Sequence, residues 1–315
     1  MQKILGIIGK TLLIAIIVIV GIFVLVFGGF NLVKFAIYKD YYKIETDVCE
    51  NPGLADGFVC QGIAASEENG VILVSGYMAD DSASRIYVTN TENESYYVSL
   101  KKGEEEFTGH VGGIATTGEK VYLASDDTIW IISLAEILAA KSGDSVDVGG
   151  GNPVNVQASF VYTDDKYLYV GEFHGAGKYM LEGHENQTAE GMHYAICEKY
   201  ALDDLTKPLK AYSIRNKVQG ICFTPDGKVV MSTSYGLADS IYYVYDESKA
   251  TDSGKTFAGA PLYYLDNLEK EIKGPAMSED LDYYEGEIIT LTESASNKYI
   301  FGKFFFANKI VKLKF

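Results

Sequence analysis

Short apolar runs recur along the chain, each entered from a turn: Gly70-Val-Ile-Leu-Val-Ser75, Lys120-Val-Tyr-Leu-Ala-Ser125, Lys166-Tyr-Leu-Tyr-Val-Gly171, Lys228-Val-Val-Met-Ser-Thr233 and Glu287-Ile-Ile-Thr-Leu-Thr292. β-Branched and aromatic residues fill them, which predicts buried strands. Ahead of each lies a start made of small residues: Gln61-Gly-Ile-Ala64, Gly112-Gly-Ile-Ala115, Gln157-Ala-Ser-Phe160, Gln219-Gly-Ile-Cys222 and Lys273-Gly-Pro-Ala276. Third strands follow at Ser84–Val88, Thr128–Ile132, Tyr194–Cys197, Ser240–Val244 and Asn308–Leu313, and fourth strands at Tyr96–Leu100, Leu209–Ser213 and Pro261–Leu265. One such sheet cannot bury its faces alone, so the repeat predicts a closed ring, an all-β β-propeller. The count is five blades, or six if the Gly-rich stretch after Leu134–Lys141, itself helix-like, hides another sheet.

The fifth unit ends the chain at its third strand. Tyr42-Lys-Ile-Glu-Thr46 is the available outer strand, and its pairing with the C-terminal segment would remove an open edge that invites aggregation. The propeller is therefore expected over residues 39–315.

Residues 1–38 follow another pattern. Thr11 to Val33 carries no charge between Lys10 and Lys34. A helix of that length covers roughly 35 Å at about 1.5 Å per residue, enough for a hydrocarbon core of about 30 Å. A short tail and a transmembrane helix are expected, with the lipid bilayer as partner of residues 11–33. No Ala-x-Ala cleavage site follows, so the segment reads as an anchor rather than a cleaved signal. Lysines on both sides do not orient it. An N-terminal span of this type acts as an uncleaved export signal, which places the propeller outside the cell. The fifth blade is then tethered near the bilayer, and Phe301-Gly-Lys-Phe-Phe-Phe306 is expected either at the membrane interface or in the core beneath a long loop.

Charge narrows the partners. The chain has 27 Lys and Arg against 43 Asp and Glu, net −16, and two of the cations, Lys3 and Lys10, precede the apolar run. Such a surface repels nucleic acid and favours neutral or cationic ligands. The four cysteines lack C-x-x-C spacing, so no thiolate metal site is expected. Cys60, Cys197 and Cys222 read as core residues, and Cys49 and Cys60 are near enough in sequence to bridge.

In a propeller, the loops entering first strands and those joining second to third strands gather on one face around the axis. That face would collect Gln61, His110, Gln157, Gln219 and Lys273 from the first group, and Tyr77, Asp126, Glu172 and His174, Tyr235 and Glu293 from the second. The set predicts a polar, aromatic-rimmed mouth, although the glutamines could equally satisfy backbone groups near the axis. The insertion His174 to His193 reads as a lid over that mouth. No G-x-S-x-G, P-loop or H-E-x-x-H motif is present, and no cofactor is expected.

Several stretches carry a resemblance: Gln61-Gly-Ile-Ala with Ser75-Gly-Tyr77, Thr108-Gly-His-Val-Gly-Gly-Ile114, Gly171-Glu-Phe-His174, and Val218-Gln-Gly-Ile-Cys-Phe-Thr224 with Ser232-Thr-Ser-Tyr-Gly236. Over most of Pro52 to Leu313 they resemble a group of uncharacterised bacterial propeller proteins, membrane-anchored or secreted. More distantly the repeats are similar to the propeller class of gluconolactonase, paraoxonase and strictosidine synthase. Lactonases of that class hold calcium on axial Glu, Asn and Asp. The matching starts here, Gln61, Gly112, Gln157, Gln219 and Lys273, suit a hard cation poorly. The axial carboxylates of five-bladed glycosidases are likewise expected to be missing. The resulting expectation is a non-catalytic propeller binding a peptide, glycan or protein on its axial face. The alternative is a surface hydrolase or lyase, with or without a metal, using His110, Glu172, His174 and Glu293.

Overall fold

The computed structural model describes residues 2–175, 177 and 181–315. The strands build five blades, each around four antiparallel strands, with a separate two-stranded hairpin. Blade 1 comprises Phe58–Ser66, Val71–Met78, Arg85–Thr89 and Ser95–Lys102, and blade 2 comprises Gly113–Thr116, Lys120–Ser125, Thr128–Ser133 and Asn152–Pro153. Blade 3 runs through Ala158–Thr163, Tyr167–Glu172, Ala195–Ala201 and Lys210–Ile214, and blade 4 through Val218–Phe223, Lys228–Thr233, Ser240–Asp246 and Leu268–Gly274. Blade 5 holds Ser278–Tyr284, Glu287–Thr292 and Lys309–Leu313, with Glu45–Glu50 as its outer strand. The innermost strand of every blade packs against those of both neighbours, blade 5 against blade 1 included, so the ring closes at five.

Close approach at the axis explains the Gly-Ile starts. A Cβ on Gly62 would stand 2.6 Å from the Ile114 nitrogen, and one on Gly220 would stand 2.5 Å from the Asp280 Cα. No side chain fits there without moving a neighbouring strand. Between blades, rings and aliphatic chains interleave: Tyr169 stacks on Phe223 with centroids 3.9 Å apart, and the Tyr162 hydroxyl donates to the Phe223 carbonyl at 2.8 Å.

The chain closes as its N-terminal segment pairs with its C-terminal one, but a few residues later than the pattern suggests. Glu45 faces Leu313 and Glu50 faces Lys309. Tyr41 is instead buried in the turn beneath the helix, stacked on Tyr242. Another shift concerns Pro261–Leu265. Ala260–Tyr264 lies parallel to Lys210–Ile214 and extends blade 3, whereas the outer strand of blade 4 is Leu268–Gly274. Hydrophobic alternation identifies a strand without naming its neighbour. The short helix of blade 2 spans Leu134–Ala139, and Ser145–Asp147 beyond it pairs in parallel with blade 1.

Cys49 and Cys60 are buried free thiols, not a bridge, and Cys60 Sγ donates to the Thr292 carbonyl at 3.3 Å. The N-terminal helix, Gln2–Ile37, contains one segment long and apolar enough to cross a membrane, Ile8–Ile37.

Candidate functional site

Antiparallel alternation puts the second-to-third strand loops and the first-strand entries on one face. There a cavity of about 490 Å³ opens on the axis. Gln61, Tyr77, His110, Asp126, Gln157, Gln219, Tyr235 and Glu293 all line it, together with Phe173, Met277 and Tyr299. Eight positions read from the sequence thus come together. Three do not.

Lys273 belongs to the outer strand of blade 4 and pairs with Asp239 at 2.5 Å. Glu172 turns inward between strands: its carboxylate accepts from His184 Nδ1 at 2.7 Å and from the Ile196 N–H at 2.9 Å. It ties the insertion to the blade. His174 is buried and stacked on Tyr194, 4.8 Å between centroids, away from the cavity lining. Glu172 and His174 therefore do not join His110 and Glu293 as the four-residue set the hydrolase alternative requires. Among the described residues, no three His, Cys, Asp or Glu side chains converge in a metal-binding arrangement.

The insertion does not cover the mouth where it is described. Its hairpin, Asn186–Thr188 with Gly191–His193, docks at the junction of blades 3 and 4, where Glu190 binds Arg215 and Tyr245 and the Ala189 N–H donates to Asp266. Residues 176 and 178–180 of the expected lid lie outside the described residues.

Two aromatic walls define the mouth. On one side Tyr77 stacks on His110 at 4.7 Å and its hydroxyl meets that of Tyr299 at 3.3 Å. Lys298 Nζ lies 4.3 Å from the Tyr77 ring centroid and 5.6 Å from that of Tyr299. On the other side Phe173 stacks on Tyr235, with Lys217 Nζ 5.2 Å from the Tyr235 centroid. Desolvation by the packed loops, and next the Lys298 charge, hold the His110 pKa below its ordinary value, with Asp126 acting in the opposite direction.

Glu293 is an acid of the lining that the sequence singled out, and two further buried acids near it, Glu279 and Asp280, lie behind the lining and were missed. Gln61 Nε2 donates to Glu293 Oε2 at 2.8 Å and to the Cys60 carbonyl at 2.9 Å. Burial pushes Glu293 up to about 7, against hydrogen bonds from Tyr299 and Gln61. Glu279, a carboxyl neighbour of Glu293 outside the lining, is buried, with Oε1 lacking a hydrogen-bond partner. Desolvation and then the neighbouring Glu293 and Asp280 keep its pKa well above the carboxylate range. Asp280 is fully buried too, accepting from the Ile63 and Ile114 N–H groups at 3.4 Å while Oδ1 stays unpaired. The expected lack of axial carboxylates is overturned, because the first strand of blade 5 is Ser278–Tyr284 and not the segment at Lys273. A spacing signal was available: Gln61, Gln157 and Gln219 each stand nine residues before the second-strand start, and nine before Glu287 falls on Ser278. Gln157 itself is slightly offset, since Ser159 occupies the bulge that Gln61 and Gln219 occupy in their blades.

No protein-family model matches the chain, and a search of curated proteins finds no match. Solved structures with a similar fold include the PQQ-bound aldose sugar dehydrogenase of Streptomyces coelicolor, 12% identical, covering 85% of this chain and 96% of that one with a TM-score of 0.48. The GH43_1 enzyme of Xanthomonas citri complexed with xylose is 11% identical, covering 86% and 89% with a TM-score of 0.45. BamB of Moraxella catarrhalis is 10% identical, covering 81% and 85% with a TM-score of 0.34. At such identity the likeness concerns the fold alone, which hosts enzymes and binding proteins alike.

Proposed function

We propose that this protein is a membrane-anchored propeller, displayed outside the cell, that binds an organic cation or a neutral polar group in its axial mouth. One observation carries the reading. Both aromatic walls already hold an ammonium group of the protein against a ring, Lys298 on Tyr77, to whose hydroxyl it also donates at 2.6 Å, and Lys217 on Tyr235, and the Glu293 carboxyl lines the cavity with them. An aromatic face attracts a cation through its quadrupole, by about 0.5–2 kcal/mol depending on desolvation. A ligand ammonium that displaces Lys298 finds the same rings and the Glu293 carboxyl below.

A second reading is supported by Glu293, whose pKa near 7 suits proton transfer at neutral pH. A hydrolase would use it as the acid, with neutral His110 on the Tyr77 wall of the same cavity.

Calorimetric titration of the full chain in lipid nanodiscs with choline, and separately with a neutral trisaccharide, tests the first reading. Choline is expected to bind, and Tyr77→Ala or Glu293→Gln to weaken it. Equal binding by both variants would refute the site.

A further inference from the structure

The mouth and the membrane helix meet in one loop. Blade 5 joins its second and third strands through residues 293–308, which begin at the cavity with Glu293 and Tyr299 and reach a single turn, Gly302–Phe305, packed on the N-terminal helix. Phe304 lies 4.9 Å from Phe27 and 5.7 Å from Phe23, Phe306 lies 4.6 Å from Phe27, and Phe305 meets Phe30 edge-on at 5.3 Å. Lys34 closes the contact, its buried Nζ donating to the Phe305 carbonyl at 2.7 Å.

Depth follows from helix geometry. Lys34 ends the uncharged run, and Phe23 is eleven residues further in, roughly 16 Å along a helix rising about 1.5 Å per residue. A loop that touches Phe23 while the helix spans the bilayer lies well inside a leaflet whose hydrocarbon half is about 15 Å thick. The loop has the composition for it: Ile300 and Phe301 are 73% and 66% exposed, and Phe306 is 49% exposed. Its backbone is compatible as well, because its turn is a closed helical one and Asn31 Nδ2 donates to the Phe304 carbonyl at 3.4 Å. The pattern extends over the face. Apart from Leu209, Leu268 and Met192 of the docked hairpin, every large apolar side chain that the described propeller leaves exposed sits in a loop joining a second to a third strand. Leu237 is one, in the loop whose Asp239 accepts from the Tyr38 hydroxyl just past the helix.

We infer that the face bearing the mouth docks on the lipid leaflet, with Ile300–Phe306 inserted beside the helix. This rests on the membrane-anchor reading. The occupant of the apolar surface is lipid, because the surface is continuous with the apolar helix and ends at Lys34 and Lys298, whose ammonium groups suit the head-group layer, while Lys303 within the inserted segment turns its ammonium back to the Asn297 side-chain oxygen. Tyr299 lines the cavity and Ile300 is the next residue, so the mouth opens onto the bilayer surface. Its ligand is met there rather than in bulk solvent.

Spin labels on the full chain in nanodiscs test the docking. The native thiols are all buried, so single labels are placed by Phe301→Cys, by Ile19→Cys in the helix and by Glu68→Cys on the opposite face. The expected result is an oxygen-to-nickel collision ratio at 301 close to that at 19 and severalfold above that at 68. A lipid-like value at 19 with a water-like value at 301 would overturn the docking and leave the anchor standing. Water-like values at both would overturn both.

Discussion

The two faces of the propeller carry cavities of comparable size and different chemistry. The one opposite the helix is larger, about 670 Å³, and its lining includes Glu67, Glu68, Asp164, Asp165, Asp282 and Lys166. Size would select it as the functional site. Its polar groups, however, are engaged in building turns: Asp164 accepts from the Lys166 and Tyr167 N–H groups at 3.0 and 2.7 Å and from the Tyr169 hydroxyl at 3.0 Å, while Thr224 and Asp226 close the matching turn in blade 4. On the mouth face, aromatic rings stand at the rim, and the Glu293 carboxyl among them is held by side chains, Gln61 and Tyr299, rather than by turn backbone. Groups satisfied by their own backbone have little left for a ligand, whereas side chains that only meet one another can exchange partners with it.

The largest predicted effect lies at the axis that both faces share. Gly220→Val would place side-chain atoms where even a Cβ meets the Asp280 backbone at 2.5 Å. Overpacking of this kind costs about 1–3 kcal/mol and occasionally more. Chemical denaturation should show a loss at or above that range, and an unchanged midpoint would mean the inner strands are not in contact.

The pH dependence of stability separates the faces next. Glu293, ordinarily 4.5, and Asp282, ordinarily 3.8, both titrate near about 7 in the fold, chiefly through burial. Each stays protonated in the folded chain while ionised in the unfolded one, so each makes stability fall as pH rises from its ordinary value to about 7. The slope is about 1.4 kcal/mol per pH unit and group. Melting temperature is therefore expected to be higher at pH 5 than at pH 8, with Glu293→Gln flattening the mouth-side contribution. A variant with an unchanged pH slope would contradict this placement.

Ligand binding should divide more sharply. Tyr77→Ala removes the wall under Lys298 and is expected to reduce choline affinity about tenfold, or about 1.4 kcal/mol. Asp164→Ala on the opposite face should leave affinity unchanged and cost about 1 kcal/mol of stability through its lost turn hydrogen bonds.

Much of this was legible in the sequence. The second strands at Lys120, Lys228 and Glu287 begin and end where the alternation puts them, because a strand buried on both faces has few alternatives for a run such as Val-Val-Met-Ser. Most of the mouth was legible too, since equivalent loops of a repeat must gather at one end of the axis. The two buried acids behind it were not. Glu279 and Asp280 sit in a strand whose charges make it look like a loop, and only the ring, by removing water from the axis, turns them into buried carboxyls. The departure of Glu172 was equally hidden, because its partner His184 arrives from an insertion with no counterpart in other blades.

The measurement that bears most directly on the account is hydrogen–deuterium exchange of the full chain in nanodiscs, with and without choline. Protection confined to the mouth loops, residues 76–78, 110–112, 234–238 and 293–299, is predicted. Protection at 66–68 and 164–166 instead would place the ligand on the opposite face and contradict it.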